Sequence, residues 1–425
     1  MSKIKEIRLV STRKGLTTDQ CDSKEIFFNS ATEQTAPAQT THELLRIVRA
    51  AQPIPRVAVA RRLGVHRRRI TVLVRPLIDS GILSEGAPER SLGRGVGRPP
   101  IGLSLRGDQD FLIGVNIGVS ESHIGAATVN GSLLTEERFP TSPNAQTAIA
   151  EIRNAVVRIS EKLPDRCLAG VGISVVGPTD SERSKLLYAP HFGWKDIPVT
   201  KLLNLNVPVL VENNATAAAI YESQRRRRHY ATKTAGDFVV VRAGTGIGVG
   251  LVLGGEVFRG TSGADIAGEF GHMTIVAGGK ACPCGNFGCW ERYASAASAV
   301  ELYTGDSQRA KMRGTLRFTD LVARATAGER RAQTTLERVG THLGIGISNV
   351  ICGLGVAHIV LSGELVHAWR FIEKPTRGAI EMSLAGRLSS WSLEPGDMYG
   401  ADLGGALEVA IEHYLRMLVA RNEAA

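Results

Sequence analysis

Between residues 269 and 291 the chain reads Glu269-Phe-Gly-His272 and then Cys282-Pro-Cys284-Gly-Asn-Phe-Gly-Cys289-Trp-Glu291, which puts one imidazole, three thiols and two carboxylates in a short segment. His272, Cys282, Cys284 and Cys289 are the donor set of a closed tetrahedral Zn2+ site, because soft thiolates with an imidazole select zinc over calcium or magnesium. Gly285 and Gly288 permit the tight turns that such a knuckle needs. Four protein ligands leave no open position for an activated water. The expected role of the metal is therefore structural, and metal-assisted hydrolysis is disfavoured.

A second group of residues is basic. The formal charge is +10, and residues 41–105 carry most of it, with twelve arginines against Glu43, Asp79, Glu85 and Glu89. Such a local excess is the electrostatic footprint of a nucleic-acid-binding module, where phosphate contacts dominate affinity.

The elements that must position these arginines follow from apolar spacing. Leu44, Leu45, Ile47 and Val48 predict a helix from Thr41 that Pro53 and Pro55 end, and a short second helix spans about residues 56–63. Gly64 and Val65 turn the chain into a third helix with Ile70, Leu73, Val74, Leu77 and Ile78 on one face, closed by Gly81. This is a helix-turn-helix with Arg67, Arg68, Arg69 and Thr71 placed for a major groove. Pro76 predicts that the third helix is bent or short. Strands at 82–83 and 101–105 would add a wing with Arg94 and Arg98 at its glycine-spaced tip, suited to phosphates or a minor groove. Taken alone, the same segment also reads as a solvated basic linker. Residues 1–40 are polar, without sustained period, and are expected to form a flexible extension.

From residue 110 to 425 strand-like and helical runs alternate, the pattern of an α/β unit. Residues 111–129 read as a strand, a turn at Gly118 and a returning strand, and residues 237–253 repeat this around Gly244-Thr245-Gly246. Paired hairpins of this kind hold nucleotide phosphates on backbone N–H groups in two-lobed sugar kinases of the actin and hexokinase type, although a plain tight turn explains either one. Residues 329–343 and 403–418 offer apolar helical stripes for packing, and Arg225 to Arg228 read as a solvated helix end. No apolar run approaches the roughly 18 residues of a membrane span, and the N-terminal residues lack a secretory pattern. No membrane association and a reducing, cytoplasmic location are expected, in keeping with cysteines held as thiolates.

Beyond residue 40 the chain resembles the ROK family, named for repressors, open reading frames and kinases. The motifs that carry the resemblance are Gly97-Arg98-Pro-Pro100, Gly114-Val-Asn116-Ile-Gly118, Gly170 to Pro178, Pro190-His-Phe-Gly-Trp194, Glu212-Asn213-Asn214, Gly244-Thr-Gly246, and Glu269-Phe-Gly-His272 with its cysteine knuckle. The resemblance implies an N-terminal winged helix-turn-helix over residues 41–105, followed by a two-lobed, actin- and hexokinase-like sugar-binding domain over residues 110–425. It implies that Asn213, Asn214, Glu269, His272 and Glu291 contact a sugar in the cleft. It also implies a sugar-responsive transcriptional regulator, a repressor of carbohydrate-metabolism genes, with operator DNA and a sugar or sugar phosphate as partners. A homodimer or homotetramer is expected, since symmetric oligomers match palindromic operators.

Two positions depart from the family's kinases. The catalytic aspartate position holds Asn214, and the phosphate-turn aspartate position holds Asn116. An amide keeps the hydrogen-bonding shape of a carboxylate but cannot take a proton at neutral pH, so no kinase activity is expected. The competing expectation is a ROK sugar kinase fused to a DNA-binding module.

Overall fold

The computed structural model describes residues 36–86, 101–107, 109–229, 236–261, 264, 266–305, 315–397 and 401–424. The wing-tip residues Arg94 and Arg98, and most of the expected N-terminal extension, lie outside them.

The basic module consists of α1 (Ala36–Ala51), β1 (Ile54–Pro55), α2 (Arg56–Leu63), α3 (Arg67–Asp79), β2 (Leu83–Gly86) and β3 (Gly102–Leu105). Helix α1 is already helical at Ala36, ahead of the Thr41 start read from the apolar stripe. Gly64 takes a left-handed conformation and closes α2, and His66 caps α3. Ile70, Val74 and Leu77 face the core, while Arg67, Arg68, Arg69, Thr71 and Val72 face solvent. Pro76 neither shortens nor interrupts α3, which runs on to Asp79. The proline lies on the exposed side, and the carbonyl it leaves unpaired, that of Val72, is on a face open to water. Strands β2 and β3 pair antiparallel from Leu83 opposite Leu105 to Gly86 opposite Gly102, and β1 adds to the far edge of β3.

The N-terminal lobe contains β4 (Asp110–Ile117), β5 (Glu121–Thr128), β6 (Leu133–Pro140), α4 (Ala145–Glu161), β7 (Cys167–Val175), β8 (Leu186–Ala189), β9 (Trp194–Ile197), α5 (Val199–Leu203) and β10 (Val209–Asn213), and α6 (Asn214–His229) follows. The C-terminal lobe contains β11 (Phe238–Ala243), β12 (Ile247–Leu253), β13 (Glu256–Phe258), α7 (Glu291–Ala294), α8 (Ala296–Thr304), α9 (Phe318–Thr326), α10 (Arg330–Leu354), β14 (His358–Ser362), α11 (Trp369–Met382), α12 (Leu384–Leu388) and β15 (Ser392–Pro395), and α13 (Ala401–Ala424) closes the chain. The two five-stranded sheets, β10-β7-β4-β5-β6 and β15-β14-β11-β12-β13, have the same strand order. In each, an antiparallel hairpin is extended by parallel strands on one side. The duplication visible in the two glycine turns therefore extends through both lobes.

The helices after the two sheets exchange places. Helix α6 leaves β10 and packs on β11 and β12, whereas α13 leaves the second sheet and lies across β4 and β7, and the two helices pack on each other. A Cβ at Gly172 would stand 2.2 Å from the carbonyl oxygen of Ala406, so only glycine lets α13 settle on β7.

Helix α13 also closes the core of the basic module. Ala410, Ile411, Tyr414, Leu415, Leu418 and Val419 are buried with Leu44, Leu45 and Val48 of α1, Ile70, Val74 and Leu77 of α3, and Leu112 and Val129 of the N-terminal lobe. The apolar stripe of residues 403–418 is thus spent within the chain. None of the described helices is long and apolar enough to cross a membrane. Because module and lobe share this core, Leu415→Ala is expected to destabilise both by about 2–5 kcal/mol, read as a lowered urea midpoint by circular dichroism. A midpoint within error of the unmodified protein would show that the seam contributes little.

Candidate functional site

A cleft of about 590 Å³ opens between the sheets, lined by both glycine turns and by the segment that holds the cysteines. Its walls begin with the short turn Glu269–His272, which lies against β12. The glycine of Glu-x-Gly-His has a steric reason, since a Cβ on Gly271 would stand 2.0 Å from the carbonyl oxygen of Ile247. Further on, Trp290 is fully buried, donates its indole N–H to the His342 carbonyl at 3.0 Å, and fixes the start of α7 where Glu291 sits. Gly285 and Gly288 both adopt positive φ, as the knuckle's turns require.

His272, Cys282, Cys284 and Cys289 come together, with one donor atom from each lying within 4.8 Å of the others. The edges of the cluster test what it fits. A tetrahedral centre with metal–sulfur bonds of about 2.3 Å and a metal–nitrogen bond of about 2.0–2.1 Å requires sulfur–sulfur edges near ~3.8 Å and nitrogen–sulfur edges near ~3.5 Å. Cys284 Sγ lies 3.7 Å from Cys289 Sγ, and Cys282 Sγ lies 3.6 Å from His272 Nδ1. The donor set therefore fits a four-coordinate metal ion, with Nδ1 as the imidazole ligand. Burial raises the Cys282 and Cys289 thiols above their ordinary range, and a bound cation would offset that cost by stabilising thiolates.

The other face of the imidazole meets the cleft. His272 Nε2 is 3.6 Å from Glu269 Oε2, within ion-pair range but beyond a hydrogen bond. Burial raises the Glu269 carboxyl above its ordinary value, with His272 opposing the rise and Glu291 adding to it. Glu291 turns one oxygen toward Cys282 Sγ, at 3.2 Å, and the other toward Gly246, where an added Cβ would stand 2.7 Å away.

The asparagine pair divides its work. Asn213 Oδ1 accepts from the N–H groups of Ala215 and Thr216, at 2.8 and 3.3 Å, and Nδ2 donates to the Gly177 carbonyl at 3.1 Å. Much of its amide is committed to starting α6, a role that the sequence reading missed although an asparagine just before a helix is its standard signal. Asn214, one residue on, is the first residue of α6 and lines the cleft. Across the cleft, Asn116 Oδ1 accepts from Ser174 Oγ at 3.3 Å.

Three cleft residues had not been singled out by the sequence. His191 Nε2 lies on the Glu291 side of Gly246. Arg242, two residues before the second glycine turn, donates to Asp402 at 2.7 Å, and its charge holds that carboxyl below the usual range. Asp402 is thereby committed to an ion pair. The run Arg225 to Arg228 is not a solvated end: Arg226 pairs with Glu394 at 2.5 Å, Arg227 with Glu43 at 3.2 Å, and Arg228 donates to the Asn130 carbonyl at 3.1 Å.

The ROK family model matches residues 112–399. The chain is 25% identical over 382 residues to the xylose repressor of Bacillus subtilis (strain 168), a match that covers 88% of this chain and 95% of that protein. A solved ROK family transcriptional regulator, a homolog of the E. coli MLC protein, shares the fold with a TM-score of 0.74 at 22% identity, over 91% of this chain and 98% of its own. A ROK family glucokinase from Streptomyces griseus, solved with glucose and AMPPNP, gives a TM-score of 0.62 at 26% identity, over 71% of this chain and 99% of its own.

Because Asn213 is a helix cap, Asn213→Ala is expected to cost about 0.5–2 kcal/mol of stability with no ligand present, measured by urea unfolding. An unchanged midpoint would leave the residue free for a ligand alone.

Proposed function

The chain belongs to the ROK family, and on that premise we propose that it is a DNA-binding transcriptional repressor of carbohydrate-metabolism genes, modulated by a sugar or sugar phosphate. The observation that carries this reading is the shared core: α13 packs on the sheet beneath the cleft and on α1 of the basic module, in one core that also holds Ile70, Val74 and Leu77 of α3. A change in the lobes acts on the module through packed side chains and not through a slack linker.

In this reading Glu269, His272 and Glu291 bind vicinal hydroxyls from one side of the cleft, and Asn213 and Asn214 supply amide contacts from the other. Buried polar groups that need partners discriminate strongly between hydroxyl patterns. His272, Cys282, Cys284 and Cys289 hold Zn2+, which when bound supplies a rigid node that keeps both carboxylates in position. Neither Asn116 nor Asn214 accepts a proton, and Asp402 is tied to Arg242. The geometry therefore favours recognition over phosphoryl transfer.

Arg67, Arg68, Arg69 and Thr71 present the exposed face of α3 to a major groove, with Arg94 and Arg98 of the wing reaching phosphates or the minor groove. In a homodimer or homotetramer two such helices meet the half-sites of a palindrome. A cytoplasmic location follows from this role. Sugar binding shifts DNA affinity only by its differential affinity for two lobe arrangements, typically about 1–3 kcal/mol.

Thermal-shift screening of D-xylose, D-glucose, N-acetylglucosamine and their phosphates tests the reading. At least one sugar is expected to raise the melting temperature at millimolar concentration, and Glu269→Gln or Glu291→Gln is expected to remove that shift while the protein stays folded. ATP turnover with the stabilising sugar would instead establish the kinase reading. Metal analysis of the unmodified protein is expected to find one zinc per chain, with Cys284→Ser releasing it and lowering the melting temperature. Absence of zinc from the unmodified protein would reject the site.

A further inference from the structure

The basic module meets the two lobes through different chemistry. Against α13 and the N-terminal lobe the contact has an apolar core, with Leu44, Leu45 and Val48 buried beside Ile411, Leu415, Leu418 and Val129, flanked by the buried Arg49–Glu408 pair. Against the C-terminal lobe the contact is ionic. The buried guanidinium of Arg46 forks between Glu412 of α13, to which Nε donates at 2.8 Å, and Glu256 of β13, to which Nη1 and Nη2 both donate, the latter at 3.1 Å. Beside it, Glu43 of α1 accepts from Arg227 of α6 at 3.2 and 3.3 Å.

The β12–β13 hairpin is also held by the N-terminal lobe. Arg259, the residue after β13, donates to Glu212 of β10 at 2.7 Å, and Glu212 precedes the cleft residue Asn213 in the chain. The hairpin is therefore tied at one point to the strand that carries Asn213 and at another, through Glu256, to Arg46 on the module.

We propose that this hairpin, held by Glu212 of the N-terminal lobe and by Arg46 of the module, is the lever that carries lobe movement to the DNA-binding helices. The proposal rests on the sugar-responsive reading above. The unequal chemistry of the two contacts supports it. Parting the apolar seam would expose a core, so the module travels with α13 and the N-terminal lobe. The Glu256 side chain is 56% exposed, and a pair with an exposed partner dissociates at little cost. Arg46 keeps Glu412 and Glu43 when Glu256 moves away, so its own buried charge stays paired. The contact that can switch lies where the C-terminal lobe touches the module.

The test uses the full-length protein and a duplex that it selects from a random-sequence pool. DNA affinity is measured at constant ionic strength with and without D-xylose, or whichever screened sugar raises the melting temperature most. In Glu256→Gln the ratio of the two affinities is expected to shrink by about 1.5–5-fold, the range for one such ion pair. Glu394→Gln, which removes the Arg226 pair inside the C-terminal lobe, is expected to leave the ratio unchanged. An unmodified protein with no sugar response overturns both this proposal and the reading beneath it. A normal response in Glu256→Gln, or an equal loss in Glu394→Gln, overturns the lever alone and leaves sugar regulation standing.

Discussion

The apolar seam along α13 decides most of what this chain can do. One face of the helix lies on β4 and β7, where Gly172 allows backbone contact, and the other closes the core around Leu44, Ile70 and Leu77. Without it the basic module would have a small core of its own, since a unit of that size buries too little surface to be independently secure. The lobes, the cleft between them and the exposed arginines of α3 are therefore parts of one packed body. The exchange of α6 and α13 between the two sheets places both crossing helices at the centre of that body.

On the proposed reading, the cleft keeps groups for recognition without those for phosphoryl transfer. Its carboxylates flank a knuckle that gathers four potential metal donors and is backed by the buried ring of Trp290. The positions that the family resemblance assigns to kinase carboxylates carry Asn116 and Asn214, and Asp402 of α13 is paired with Arg242. On the proposed reading, Glu269 and Glu291 remain available on the side that would bind hydroxyls, whereas Asp402, on the side that would handle phosphate, is paired. This asymmetry accords with an effector pocket.

Much of this was legible in the residues. The three helices and the strand pair of the module follow from apolar period and from Gly64 and Gly81, and the two glycine turns announce the repeated hairpins. The knuckle is legible because four metal donors in a short segment have few other uses. What stayed hidden depends on long-range packing. Nothing local tells that Arg46 and Arg49 are buried in ion pairs with Glu412 and Glu408, at 2.8 and 2.6 Å, and so are unavailable to phosphates. The four-arginine run looked solvated because its partners Glu43 and Glu394 are distant in sequence. Pro76 misled because a proline's effect depends on which face of the helix it occupies. The capping role of Asn213 stayed hidden because it depends on where β10 ends and α6 begins.

Regulation requires that the two halves of the molecule exchange free energy, and the decisive quantity is DNA affinity as a function of sugar. Fluorescence anisotropy of a labelled, protein-selected duplex, titrated with the full-length chain at fixed salt in the absence and presence of saturating sugar, measures it. A change in Kd of about 5-fold or more is expected, within the usual range of allosteric coupling. An identical Kd, with the sugar demonstrably bound, would contradict a sugar-regulated repressor.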